Sequence, residues 1–175
     1  MQEWFCEQMA MYTAYHRDPR NCATHFVGVP LIVFSLLVLM SLVGDGQAGP
    51  IPLTLATFFL TGLLILYFIA NPLVGFMAAA VHIPMLWVAD AFAKGESSNT
   101  WAVIIVCFVS GWIIQFVGHI FEGRRPALFD NLIQVFMAPG FLVAEALFSN
   151  GFLGSLKRDL QQRSIKYNST GALKS

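Results

Sequence analysis

Four runs of about twenty residues, 24–43, 51–70, 72–93 and 100–121, carry a single charge between them, Asp90. At 1.5 Å rise per residue, about 20 helical residues cross a hydrocarbon core of roughly 30 Å. In lipid each backbone N–H and C=O must find its partner within the segment, so runs like these become helices. The expected fold is therefore all-α: a multi-pass membrane helical bundle with about four transmembrane helices. The chain is 11% charged and 57% hydrophobic, against roughly 25% charged in a soluble domain, so it has little with which to cover a wet surface. Ten basic and ten acidic side chains cancel, so nothing argues for nucleic acid or a polyanionic partner; the uncharged runs make membrane lipids the expected surroundings. Three scattered cysteines without CxxC spacing suggest neither a disulfide framework nor a thiolate metal site.

The remaining segments divide by polarity. Residues 1–18 read as an interfacial helix with a Trp4, Met11, Tyr15 stripe, and they lack the layout of a cleaved signal peptide. Asp18-Pro19 should end that helix, because the residue before proline avoids the α region, and Asn21 or Thr24 can cap the next one. Residues 128–148 are apolar but hold Asp130, Gln134, Glu145 and a Pro139-Gly140 break. Basic residues cluster before the first run, after the fourth and in the tail, whereas the loops 44–50 and 94–99 carry only Lys94. With four spans every cluster falls on the cytoplasmic side, together with both termini. Residues 128–148 then read as two half-helices, re-entrant or interfacial, bent at Pro139-Gly140. Residues 1–156 form one integral-membrane domain, and 157–175 a polar cytoplasmic tail that frays.

Chemistry concentrates in residues 15–30, YHRDPRNCATHFVGVP, which hold two of the four histidines. His16, His25 and His119 fall at one face of the expected bundle, and His82 about 15 Å below it. A pocket dipping from the cytoplasmic face could collect all four imidazoles, the commonest metal-ligand side chain. On one continuous helix His16 and His25, nine residues apart, would point to opposite sides, so the Asp18-Pro19 break is part of the expectation. Gln115, His119 and Glu122 share a stripe that Trp112 and Phe108 continue, and Gly75, Ala78, Ala79 and His82 share another. No HExxH box is present, and a lone histidine at a helix end is more often a hydrogen-bonded interfacial residue than a ligand.

The motifs H-x4-N-x3-H-x2-G-x-P, from His16, and Q-x2-G-H-x-F-E-x3-P-A, from Gln115, resemble the membrane 2-hydroxy fatty acid dioxygenase family. The likeness covers roughly residues 12–135, and the family's essential histidines fall on His16, His25, His82 and His119. It implies an Fe(II) enzyme that uses O2 to convert a 2-hydroxy fatty acid into an acid one carbon shorter. It also implies a place in sphingolipid breakdown for the eukaryotic members. Glu122 would then serve as ligand or as acceptor behind a ligand. Arg17, Arg20, Asn21, Gln115, Arg124 and Arg125 are the candidates for binding the substrate, arginine being suited to a carboxylate. A bacterial inner membrane and the endoplasmic reticulum suit such a protein equally. Two other classes compete: a b-type haem electron carrier, since transmembrane histidines ligate haem, and a non-catalytic lipid-binding protein.

Overall fold

The computed structural model describes residues 3–95 and 97–169. Residues 1, 2, 96 and 170–175, onto which the expected first helix, loop and tail extend, lie outside the described residues. The protein is all-α apart from one small hairpin. Its elements are α1 (Glu3–Tyr15), α2 (Pro19–Ser41), β1 (Gly46–Ala48), β2 (Ile51–Leu53), α3 (Leu55–Ala70), α4 (Pro72–Ala93), α5 (Ser97–Glu122), α6 (Gln134–Ser149) and α7 (Gly154–Ser169). A 3-10 turn, Ala127–Phe129, precedes α6. Helices α2, α4 and α5 are long and apolar enough to cross a membrane, whereas α3 and α6 are shorter apolar helices. The expected second span is thus cut to 16 residues, because Ile51–Leu53 pairs antiparallel with Gly46–Ala48.

The helix starts are written locally. Asp18 caps α2, its carboxylate accepting from Arg20 N at 2.8 Å, with Pro19 in the first turn. This assigns the cap to Asp18 and not to Asn21 or Thr24. Proline at that position spends an N–H that the helix leaves unpaired anyway. Asn71 does the same for α4, accepting from Leu73 N and Val74 N, with Pro72 behind it.

Helices α2 and α5 form the main pair and run antiparallel. A Cβ on Gly111 would lie 2.9 Å from the Gly28 carbonyl oxygen, and one on Gly118 would collide with the Thr24 hydroxyl. Small residues here let the two backbones approach closely. This register sets the start of α2 beside the end of α5, and so His25 beside His119.

Helix α1 turns Phe5, Met9, Tyr12 and Tyr15 inward while Trp4 is 45% exposed, so the expected Trp4–Met11–Tyr15 stripe is divided between interior and surface. Residues 154–169 do not fray. They form α7, which packs on α1 through an ion cluster in which Arg163 meets Glu3, Glu7 and Asp159, and Lys166 meets Glu7. Hydrogen bonding from Lys166 and Tyr167 holds the Glu7 carboxyl down at about 2.

Residues 134–149 are likewise one helix and not two halves. The Tyr67 hydroxyl, fully buried, donates to the Phe136 carbonyl at 2.5 Å and accepts from Gly140 N at 3.1 Å. Those two groups are the i, i+4 partners next to Pro139, so the phenol completes the backbone where proline weakens it. Tyr67→Phe strands both groups. It should cost about 1–3 kcal/mol, read as a lowered denaturation midpoint in detergent; an unchanged midpoint would remove this role.

Candidate metal centre

His16 lies in the turn between α1 and α2, His25 in the second turn of α2, and His119 in the last turn of α5. One ring nitrogen from each falls within 4.8 Å of the others, and all three residues are buried. Ring centroids stand 4.4 Å apart for His16–His25, 5.0 Å for His25–His119 and 5.2 Å for His16–His119. That spacing leaves no slab for a porphyrin between any two rings.

The tautomers follow from the hydrogen bonds. Nδ1 of His16 lies 2.8 Å from the Tyr12 carbonyl, and Nδ1 of His25 lies 2.8 Å from that of Asn21. A carbonyl only accepts, so both Nδ1 atoms carry the proton and both Nε2 atoms present a lone pair. These two Nε2 atoms stand 3.0 Å apart. Two lone pairs meeting at that distance repel unless a cation is shared near them. Burial, and then the neighbouring His25, hold the His16 pKa well below its ordinary value, which disfavours a proton there at neutral pH. The Nδ1 of His119 is buried with no protein partner. Three neutral imidazoles facing one point suit a borderline metal ion such as Fe(II) or Zn(II).

A built scaffold holds the rings. Tyr12, one helical turn before His16, stacks on it with centroids 3.9 Å apart and planes 8° from parallel. Glu122 ends α5 and clamps the turn: its carboxylate accepts from Arg17 N at 3.0 Å, Asp18 N at 2.9 Å and Asn21 Nδ2 at 3.0 Å. The clamp ties the His16 turn to the helix carrying His119. Outer partners that orient ligands are worth 10–100-fold in metal affinity, so Glu122→Ala should weaken metal binding by about that factor. Equilibrium competition with a chelator checks this, and wild-type affinity would reduce Glu122 to a surface contact.

His82, the fourth expected member, is not in the group of three. It is buried, with Nδ1 2.8 Å from the Ala78 carbonyl, so it has the same tautomer as His16 and His25. The arginines fall away from the cavity that the imidazoles border. Arg20 pairs with Asp18, Arg125 with Asp130, and Arg124 lies over the Tyr15 ring while donating to the Tyr167 carbonyl. Arg17 meets Glu122 through its backbone, and Asn21 is fully buried in the scaffold. Of the expected substrate-binding residues only Gln115 borders the cavity.

That cavity, about 350 Å3, has His16, His25 and His119 in its wall, and most of the remaining wall is apolar side chains of α2, α3 and α6. Trp112 and Gln134 also border it, and Trp112 Nε1 and Gln134 Oε1 are buried without a partner. Leaving such atoms unpaired costs about 1–3 kcal/mol each, so the cavity is built for an occupant with some polar groups. Gln134 is missing from the sequence-derived site because nothing local marks it. It is pinned by its Nε2 donating to Gln8 Oε1 at 2.9 Å.

The architecture is that of an integral-membrane helical protein whose buried histidine centre opens into an apolar cavity. The chain belongs to the family described as 2-hydroxy-palmitic acid dioxygenase Mpo1-like, whose model matches residues 2–150. It is 33% identical over 156 residues to the 2-hydroxy-palmitic acid dioxygenase MPO1 of Saccharomyces cerevisiae, covering 88% of this chain and 86% of that one. This is the family that the two histidine motifs resemble. No solved structure matches the chain.

Proposed function

We propose that the protein is an Fe(II)-dependent dioxygenase that shortens 2-hydroxy fatty acids by one carbon. The observation that carries this is the convergence of three neutral imidazoles at an apolar cavity, in a chain of a dioxygenase family. The family's relative in yeast is named for a 2-hydroxy acid of this kind.

His16, His25 and His119 would hold the metal, with His82 as a fourth, more distant member of the set. When bound, Fe(II) would supply the one-electron chemistry that lets O2 react with an organic substrate. The atoms balance without a further reductant: R–CH(OH)–COOH and O2 give R–COOH, CO2 and H2O. The chain's own contribution is placement. Tyr12 and the Tyr12 and Asn21 carbonyls keep the rings oriented and their Nε2 lone pairs free. Gln115, one turn from His119 on the same helix face, offers an amide to the polar head of the substrate. The apolar wall excludes water and takes the acyl chain, each buried CH2 contributing about 0.8 kcal/mol.

The metal centre, the arginines at 17, 20, 124 and 125, and α7 against α1 all gather at the same end of the bundle. By the positive-inside rule that end is cytoplasmic, with both termini on that side, in a bacterial inner membrane or the endoplasmic reticulum.

Anaerobic loading with Fe(II), then oxygen and a long-chain 2-hydroxy acid, should yield the acid one carbon shorter and one CO2 per O2 consumed, by mass analysis. Bound iron with no chain shortening, or no bound metal, would overturn the assignment.

A further inference from the structure

The cavity continues well past the imidazoles. On α2 its wall follows one stripe, from His25 through Val29, Ile32 and Leu36 to Met40, positions that share a helix face. Fifteen residues separate the ends of that stripe, about 22 Å along the helix axis. A C–C bond of about 1.52 Å at a tetrahedral angle advances an extended chain by about 1.25 Å, so this length takes about seventeen or eighteen bonds.

The cavity runs out at the last turn of α2. Helix α5 contributes nothing to the wall beyond Trp112, and the deeper part is bounded by α2 with Phe59, Leu60 and Leu63 of α3. Leu37 and Leu60 are 1% and 3% exposed and belong to a core cluster with Ala56, Leu86 and Ile104, against which Met40 packs. Met40 is thus the last residue of α2 that borders the cavity, and its side chain packs against that cluster. Such a core yields poorly to extra methylenes, at about 1–3 kcal/mol for overpacking.

We infer that Met40, packed against the Leu37–Leu60 cluster in the last turn of α2, is the floor that stops the ω-end of the acyl chain, so that this residue sets the longest 2-hydroxy acid accepted. Leu36 lies one turn, about 6 Å, nearer the histidines, so bulk there raises the floor. The inference rests on the acyl substrate proposed above and assigns its length limit to named side chains.

The test uses the full chain in detergent, with a series of straight-chain 2-hydroxy acids differing by two carbons. Turnover by the iron-loaded protein and retention of the tritium-labelled acids by the metal-free protein are both measured. In the native sequence both should fall off sharply above about eighteen carbons. Met40→Ala should move the limit up by at least one step of the series. Leu36→Trp should move it down by about five carbons. The same limit in all three proteins would overturn the inference. If the native protein retains the acids with a sharp limit but converts none, the reaction assignment fails while the floor stands. If Leu36→Trp does not fold, Met40→Ala, which only removes bulk from a partly buried position, decides alone.

Discussion

Alanine at His16, His25 or His119 is expected to remove both bound iron and chain shortening, with activity falling by at least about 100-fold. The reasoning starts from a lower bound: loss of a group that merely orients a ligand costs 10–100-fold in affinity or activity, and loss of the ligand itself costs more. His16→Ala also deletes one of the two Nε2 atoms that face each other at 3.0 Å, so it relieves a repulsion in the metal-free protein. It also removes a buried ring on which Tyr12 stacks, so the variant is read by its response to metal: the parent should gain stability from added Fe(II) and the variant should not. His82→Ala should behave differently, because His82 is outside the group of three. It should retain more iron than any of the other three variants. Metal content by mass spectrometry, with melting curves at matched Fe(II), separates these outcomes. Equal iron loss from all four variants would place His82 among the ligands, and full iron retention in His16→Ala would remove the three-histidine centre.

Gly111→Val should produce the largest structural effect far from any ligand. A Cβ at this position would lie 2.7 Å from Ile32 Cγ1 and 2.9 Å from the Gly28 carbonyl oxygen. One of those neighbours is backbone of the facing helix and cannot rotate away. Forcing α2 from α5 should cost about 1–3 kcal/mol or more, and it also separates His25 from His119, which sit at one end of that same pair. The expected result is a lowered unfolding midpoint together with reduced iron affinity. Gly62→Val, where a Cβ meets nothing within 4 Å, is the matched control. A Gly111→Val protein with native stability and full iron content would show that the close approach does not hold the centre together.

The sequence made some of the fold legible because the signals were local. Uncharged length marks α2, α4 and α5, and the bounds of α4 agree with the expected run to the residue. Asp18-Pro19 breaks the chain between His16 and His25, as the opposed directions of those residues on a single helix required. Other features escaped because non-local partners decide them. Pro139-Gly140 reads as a break, yet α6 runs through it because the Tyr67 hydroxyl, 69 residues away from Phe136, supplies the bridge. The polar tail reads as frayed, yet α7 is held by Glu3 and Glu7 from the other end of the chain. Arg17, Arg20, Arg124 and Arg125 read as carboxylate binders, yet none borders the cavity, and Arg20, Arg124 and Arg125 are engaged by protein groups away from it.

By itself, then, the sequence determined that this chain is a membrane helical bundle, which family it resembles, and which side chains could bind a metal. Those properties follow from hydrophobic length, proline placement and residue type, all carried by short stretches of chain. Only the tertiary structure decided that His16, His25 and His119 converge as one group that His82 does not join, that Glu122 clamps the turn, and that Met40 is the last α2 residue to border the cavity. The convergence and the clamp depend on the α2–α5 register, set by backbone contact between glycines more than eighty residues apart, and the end of the cavity on the packing of α2 against α3; no local pattern of residues encodes those distances.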